Sequence, residues 1–340
     1  MSDEAVSSTD LDHLALPAVL VVGDAVLDEY LFGTATRLSR EAPVPVLELT
    51  RRLLLPGGAA NPAHNMAALG APVALAAMIG ADEDGRCLRD LLAGAGVDPR
   101  CLLIDPARPT TVKTRIVAEG LLRFPQQVAR IDRIRRGAPP PSVATALDTL
   151  LGAEVGRVAA VLCSDYLSGL LTAELTTRLV ALCREGGVLL TVDAQGELGK
   201  YRGVDLLRCN AQEAAGHLGR PLVGEDDFRA ALGAMLVDLD VGLLVVTRGE
   251  EGLSLRGREV PYTHLPARRV EVADTTGAGD TFIAVMTLAL ATGIAPVGAA
   301  ALANVAAGLV VRRFGNAVLT LDELRVEWAG AREWHDSSRP

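Results

Sequence analysis

VLVVGD, residues 19–24, packs four apolar residues in a row before a glycine and an aspartate. It lacks the polar alternation of a half-exposed strand, so it reads as a strand buried on both faces that stops at Asp24. The same grammar recurs in VALAAMIG (73–80), VAAVLCSD (158–165), VLLTVD (188–193) and VGLLVVT (241–247). Between these runs, helical patterns cover 59–69, 83–95, 142–152, 172–185 and 225–239. Strand and helix therefore alternate as in a doubly wound α/β domain with a mostly parallel sheet. Ligands in such folds sit beyond the carboxyl ends of the strands, where Asp24, Asp165, Asp193, Asn210 and Thr247 fall.

Two segments break the alternation. Residues 29–52 carry the Pro-punctuated EAPVPVLEL, and residues 107–135 carry TTVKTRIVAEG and QQVARID. Both read as short strands, which predicts a small β-sheet covering one end of the main domain as a lid, with exposed edges that a homodimer would cover. Thr281 to Val311 contains no charged residue. Gly293 and Pro296 split it into pieces too short to span a bilayer, so two buried helices are expected in place of a membrane segment.

The net charge is −9 and no run of Lys and Arg offsets it, which speaks against nucleic acid and anionic lipid as partners. Five cysteines, odd in number and without metal-ligand spacing, fit reduced thiols in the cytoplasm. The acidic, polar start MSDEAVSSTD is unlike a secretory leader, so the reading expects a cytoplasmic chain. Residues 1–16 and 329–340 are expected to be disordered tails around a domain at 17–328.

The strongest chemical signal is DTTGAGDTF, Asp274 to Phe282, just ahead of the uncharged run. Glycines there let the backbone N–H groups of Gly277, Ala278 and Gly279 face one way, and the helix start adds its positive dipole end, making a hole for a phosphate. Asp280 beside that anion would repel it, but is well suited to take a proton from an attacking hydroxyl. The bland alternative is a Gly-rich turn with an aspartate cap. GGAAN, Gly57 to Asn61, opens another helix; Gly57 and Gly58 allow close backbone approach and Asn61 offers a donor and an acceptor to sugar hydroxyls, or simply caps the helix. In GDAVLDEY, Asp24 and Asp28 either accept hydroxyl hydrogen bonds or turn the strand end. In TVKTRIV, strand alternation places Lys113 and Arg115 on one face, where they would meet a substrate phosphate or remain solvated lid charges.

GGAAN with DTTGAGD, in this order, resembles the two signatures of the PfkB or ribokinase-like carbohydrate kinases, from about Val19 to Val326. Within that family the chain is most similar to the kinase domain of D-glycero-β-D-manno-heptose-7-phosphate kinases of lipopolysaccharide biosynthesis, through VVGDAVLDEY, SREAPVPVLEL, PGGAAN, SDYLSG, YRGVDLL, VTRGEEGLSL and DTTGAGDT. The resemblance implies a three-layer ribokinase-like fold with a β lid, ATP and Mg²⁺ as cofactors, and a sugar or sugar phosphate as substrate. It makes Asp280 the base and Gly277, Ala278 and Gly279 the anion hole. Asn210 and Glu213 match the element that orders Mg²⁺ through water together with the ATP phosphates. Thr247, Gly249 and Gly252 match the nucleotide loop, and Asn304 falls near the adenine. Asp24, Asp28, Gly57, Gly58 and Asn61 match sugar-contacting positions, and Lys113 with Arg115 a substrate-phosphate contact. The departures are Ser168 and Gln195, where those kinases carry lysine. The reading expects a kinase alone, without the nucleotidyltransferase that bifunctional members carry. Another sugar or nucleoside kinase (for ribose, fructose phosphate or ketodeoxygluconate), or a protein that binds nucleotide and sugar without turnover, stays open.

Overall fold

The computed structural model describes residues 16–120 and 125–337. The segments 1–15 and 338–340 of the expected tails, and 121–124 of the expected lid, lie outside the described residues. The first strand, β1 (Val19–Gly23), is central, pairing in parallel with β4 (Val73–Gly80) on one side and β9 (Ala160–Asp165) on the other. Val19 and Val21 enter one apolar core while Leu20 and Val22 enter the other, which is why the strand reads as a continuous apolar run. Beyond β9 follow β10 (Leu189–Ala194), β11 (Leu206–Asn210) and β12 (Leu243–Thr247), all parallel, then β13 (Leu253–Gly257) and β14 (Thr263–Leu265), antiparallel. On the other side of β1, β4 pairs with the short β5 (Val97–Asp98) and β6 (Leu102–Asp105).

Helices cover both faces, completing three layers. One face takes α1 (Ala60–Ala68), α2 (Glu83–Gly94), α7 (Ala278–Ala291), α8 (Pro296–Val310) and α9 (Leu321–Ser337), packing Met66, Leu88, Ile283, Leu302 and Trp328. The other takes α3 (Pro141–Glu154), α4 (Ala173–Gly186), α5 (Ala211–Leu218) and α6 (Glu225–Leu239), packing Leu147, Leu179, Ala214 and Phe228. The uncharged run is two buried helices, α7 and α8, divided at Gly293 and Pro296 as expected. Among the described residues no helix is long and apolar enough to cross a membrane.

The lid is a four-stranded sheet, β3 (Pro45–Gly58), β2 (Ala25–Leu38), β7 (Val112–Glu119) and β8 (Gln126–Arg133), in that spatial order. Its strands start earlier and run later than the expected 29–52, because β2 follows β1 after one residue and β3 runs on to Gly58, just before α1. The inner face packs Tyr30, Phe32 and Val117 with Phe314, and the outer edge strand β8 is exposed along its whole length. Two junction glycines fix the seam between lid and main domain. A Cβ on Gly23 would lie 2.0 Å from the Ser164 carbonyl oxygen, and one on Gly58, at φ +56°, would lie 2.2 Å from that of Asp24.

The expected C-terminal tail is corrected in part. Trp328 packs into the core, and α9 carries the chain on as helix through Ser337, past the boundary drawn at residue 329. Leu16, at the end of the expected N-terminal tail, also packs against that core.

Candidate active site

Helix α7 starts at Ala278, and its preceding residue Gly277 has φ +81°, a conformation that glycine adopts without strain. A Cβ at Gly277 would also lie 2.8 Å from Asn61 Nδ2, so the glycine lets the start of α1 approach the start of α7. Asp280 lies in the first turn of α7 and is buried. Tyr166 Oη donates to its Oδ1 at 2.7 Å, and Asn61 Nδ2 donates to its Oδ2 at 2.7 Å. Burial, and then the nearby negative charge of Asp193, push the Asp280 carboxyl up to about 7, while the two donors and Arg208 pull the other way. The result is a carboxylate poised near neutral pH, as a general base requires.

Asn61 is pinned in turn. Asn65 Nδ2 donates to the Asn61 carbonyl at 3.0 Å and to its Oδ1 at 3.2 Å, and Thr281 Oγ1 donates to Asn65 Oδ1 at 2.8 Å. The amide expected to serve sugar hydroxyls is thus engaged in orienting Asp280. Asp24 is also engaged: its carboxylate accepts the backbone N–H groups of Tyr166, Ser168 and Leu170 at 3.1, 2.8 and 3.3 Å. It thereby anchors the 166–170 loop, which sets Tyr166 against Asp280.

On the lid side, Asp28 accepts from Arg115 Nη1 at 2.5 Å and from Asn316 Nδ2 at 2.5 Å, and Asn316 donates again to the Pro56 carbonyl. Gly57 is required here, since a Cβ would fall 2.2 Å from Asp28 Oδ2. Lys113 and Arg115 do share the inner face. The Lys113 ammonium stands 4.8 Å from the centre of the Tyr166 ring, and the Arg115 guanidinium 5.1 Å from that of Tyr30. Burial holds the Lys113 ammonium below its usual value.

At the carboxyl ends of β10, β11 and β12, Arg208 donates from Nη1 to Asp193 Oδ1 at 2.7 Å and from Nη2 to Thr247 Oγ1 at 2.8 Å. Asn210 caps α5: its Oδ1 accepts the Glu213 N–H at 2.9 Å, and Glu213 Oε2 accepts the Asn210 N–H at 2.6 Å. Burial raises the Glu213 carboxyl. Both residues line a cavity of about 840 Å³ with Gln195, Lys200 and His217. Asp280 does not line it. Gly249 and Gly252 have φ +61° and +91° around a short 3-10 turn, and a Cβ on Gly252 would lie 2.1 Å from the Leu265 carbonyl oxygen. Asn304 Nδ2 donates to the Pro266 carbonyl at 2.9 Å. Among the described residues no group of three or more His, Cys, Asp or Glu side chains could hold a metal ion by itself.

The structure thus brings Asp280, Asn61 and Gly277 together at one centre, with Asp28, Gly57 and Arg115 joined in a second cluster on the lid. Tyr166, Arg208 and Asn316 also belong here without a role read from the sequence, and Asp193, placed by the sequence only at a strand end, pairs with Arg208. Arg208 carried a signal, a lone charge near the end of the apolar stretch LLRCN, and Tyr166 stands in SDYLSG; nothing local marks Asn316.

A buried carboxylate at a helix start, at the carboxyl ends of a parallel sheet that carries a β lid, is the arrangement of the ribokinase-like kinase fold. The pfkB family carbohydrate kinase profile matches residues 17–322, and the chain belongs to that family. It is 42% identical over 306 residues to the bifunctional protein HldE of Geobacter metallireducens, covering 90% of this chain and 61% of that protein. It is 41% identical to the bifunctional protein HldE of Azotobacter vinelandii, covering 90% and 62%. The chain therefore spans about three fifths of the length of these relatives. Phosphofructokinase-2 from Escherichia coli superposes with a TM-score of 0.76 at 20% identity, covering 93% of this chain and 99% of that one. Arabidopsis thaliana ribokinase, solved with ribose and ATP, gives 0.72 at 20% identity, covering 92% and 99%. At that identity the two structures establish the shared fold.

The hydrogen bond from Tyr166 stabilises the charged form of Asp280, so its loss should raise the carboxyl pKa. If Asp280 serves as a base it works deprotonated, so the acid limb of kcat/KM should lie near pH 7 in the native chain and move to higher pH in Tyr166→Phe. Superimposable pH profiles for the two proteins would show that this hydroxyl does not act on the base.

Proposed function

We propose that the chain transfers the γ-phosphoryl group of ATP to a sugar hydroxyl, and that the acceptor is the anomeric oxygen of a heptose 7-phosphate, giving the 1,7-bisphosphate. The observation that carries the kinase chemistry is Asp280, buried at a helix start with both oxygens held and its pKa near 7. The similarity to the HldE proteins and the two lid cations support the phosphorylated acceptor.

Asp280 takes the proton of the attacking hydroxyl, and the N–H groups of Gly277, Ala278 and Gly279 face the phosphoryl oxygens as charge builds on them. Thr247, Gly249 and Gly252 shape the nucleotide loop, with Asn304 near the adenine. Glu213 and Asn210 fit an indirect Mg²⁺ site, since their mutual hydrogen bonds hold a carboxylate and an amide at the edge of the cavity of about 840 Å³. Bound there through water, Mg²⁺ would supply charge neutralisation for the ATP phosphates. Lys113 and Arg115 meet the substrate's own phosphate. Asp28, Gly57 and Gly58 shape the sugar side, and Asp24 and Asn61 act through the groups they hold.

The test is a panel of sugars and sugar phosphates, heptose 7-phosphate included, incubated with ATP and Mg²⁺, with ADP release measured and phosphorus NMR locating the new phosphate. A melting-temperature rise with ATP but no ADP from any sugar would favour a protein that binds without turnover. Asp280→Asn should cut kcat by about 10²–10⁴ with ATP binding retained, because the amide keeps the shape but accepts no proton. Near-native kcat in this variant would sink the mechanism. Lys113→Ala should raise KM for a phosphorylated sugar by about 1.5–3 kcal/mol, with KM for ATP little changed. If the sugar-phosphate KM stays put, the lid cation plays no part in acceptor binding and the heptose 7-phosphate assignment fails.

The lid also supports a homodimer. On the exposed edge strand β8, Val128 and Ile131 stand 46% and 60% accessible, an apolar edge that a second lid can cover. Sedimentation equilibrium should give twice the chain mass, and a single-chain mass at every concentration with full activity would rule the dimer out.

A further inference from the structure

The reading of Asp280 as base leaves open which side chain neutralises the phosphoryl group while it is in flight. We propose that Arg208 is that group: a catalytic cation that touches the transferring phosphoryl from beneath the start of α7. This role rests on the kinase reading above.

Three observations carry it. The guanidinium lies directly against Gly279 in the first turn of α7, because a Cβ built on Gly279 would fall 2.9 Å from both Nη1 and Nη2. Only glycine at this position leaves that approach open. Second, the Arg208 donors are under-used. Asp193 and Thr247 take one N–H each, while the buried Nε has no acceptor in the protein. A guanidinium carries five N–H groups in a planar fork suited to phosphate oxygens, and a buried donor without a partner calls for a ligand or water. Third, the group is built to stay charged and in place. Burial opposes its charge, but the Asp193 carboxylate outweighs that and holds the guanidinium above the ordinary arginine range. The other cation on this side, Lys200, is already paired at 2.6 Å with Asp165 and at 3.3 Å with Glu197.

In the step itself, the acceptor oxygen forms its bond to the γ-phosphorus as the bond to the β,γ-bridging oxygen breaks. The hydroxyl proton goes to Asp280, and ADP leaves with the electron pair. Arg208 exchanges no proton; it donates hydrogen bonds to oxygens that bear more charge in the transition state than in bound ATP.

The experiment uses the full chain and Arg208→Gln, which keeps a donor for Asp193 but removes the charge. Calorimetry measures the affinity for ADP–Mg²⁺ alone and with aluminium fluoride, which mimics the phosphoryl group in flight. The native chain should bind ADP more tightly with the fluoride. In the variant ADP affinity should change by less than about threefold, the gain from fluoride should disappear, and kcat should fall by about 10²–10³. A purely structural role would weaken both affinities together and leave the gain intact, and that outcome overturns the proposal. If Arg208→Gln melts too low to assay, Arg208→Lys gives the same comparison, because an ammonium keeps the charge but cannot bond Asp193, Thr247 and the anion as one planar fork. An undiminished fluoride gain in Arg208→Lys would then overturn it equally. A native chain that makes no ADP with any sugar would instead count against the kinase reading, so the two failures are distinguishable.

Discussion

The charge on Asp280 is the constraint around which the rest of the site is arranged. A carboxylate enclosed at the start of an apolar helix would ordinarily be protonated, because taking the charge out of water is far more costly than taking out the neutral acid. The protein opposes this with two hydrogen bonds from Tyr166 and Asn61 and with the positive end of α7. It also leaves Asp193 close enough to keep the group basic. Without the donors the acid would hold its proton at neutral pH. Without burial and Asp193 it would ionise far below neutrality and be too weak a base. Arg208 ties the two demands together, since it neutralises Asp193 directly and Asp280 at longer range.

Much of this fold can be read from the chain because its sheet is buried on both faces. The apolar runs at 19–24, 73–80, 158–165, 188–193 and 241–247 coincide with β1, β4, β9, β10 and β12, each within about two residues. Strand β11 is harder to see, because LLRCN carries a charged side chain that is buried only by its partners Asp193 and Thr247, which come from neighbouring strands. The lid was legible as a departure from the alternation, but its full length was not. Leu53 and Leu55 lie past the expected end at 52, and they join the lid through the cluster of Tyr30, Phe32 and Val117, which Phe314 from the far end of the chain also packs against.

The site was legible in kind and less so in detail, for one physical reason. Residue types announce what a side chain can bond, whereas the fold decides which bonds are already taken. Asp24 has the chemistry to hold a sugar, yet three backbone N–H groups occupy it. Asn304 could face a base, and one of its two donors already holds the Pro266 carbonyl. Asn210 and Glu213 satisfy the spacing of a metal-ordering element and of a helix capping box at once, and the bonds that close the box also fix the two side chains at the cavity edge. Asn316 lies 288 positions from the carboxylate it bonds, a relation that no local pattern encodes.

Each oxygen of Asp280 accepts one hydrogen bond from the protein, and a carboxylate oxygen can accept a second, so an acceptor hydroxyl can join Tyr166 and Asn61 at the base. The two donors are not anchored alike. Asn61 is held through its carbonyl and its Oδ1 by Asn65, which Thr281 fixes in turn, so moving it would break a buried chain linking α1 to α7. Tyr166 sits in a loop whose backbone N–H groups are held by Asp24, and its hydroxyl reaches Asp280 from that loop. Its ring faces the Lys113 ammonium on the lid. One aromatic side chain thus meets the lid with its ring and α7 with its hydroxyl, so Lys113 and Asp280 share a neighbour, while Asn61 holds the other carboxylate oxygen from α1.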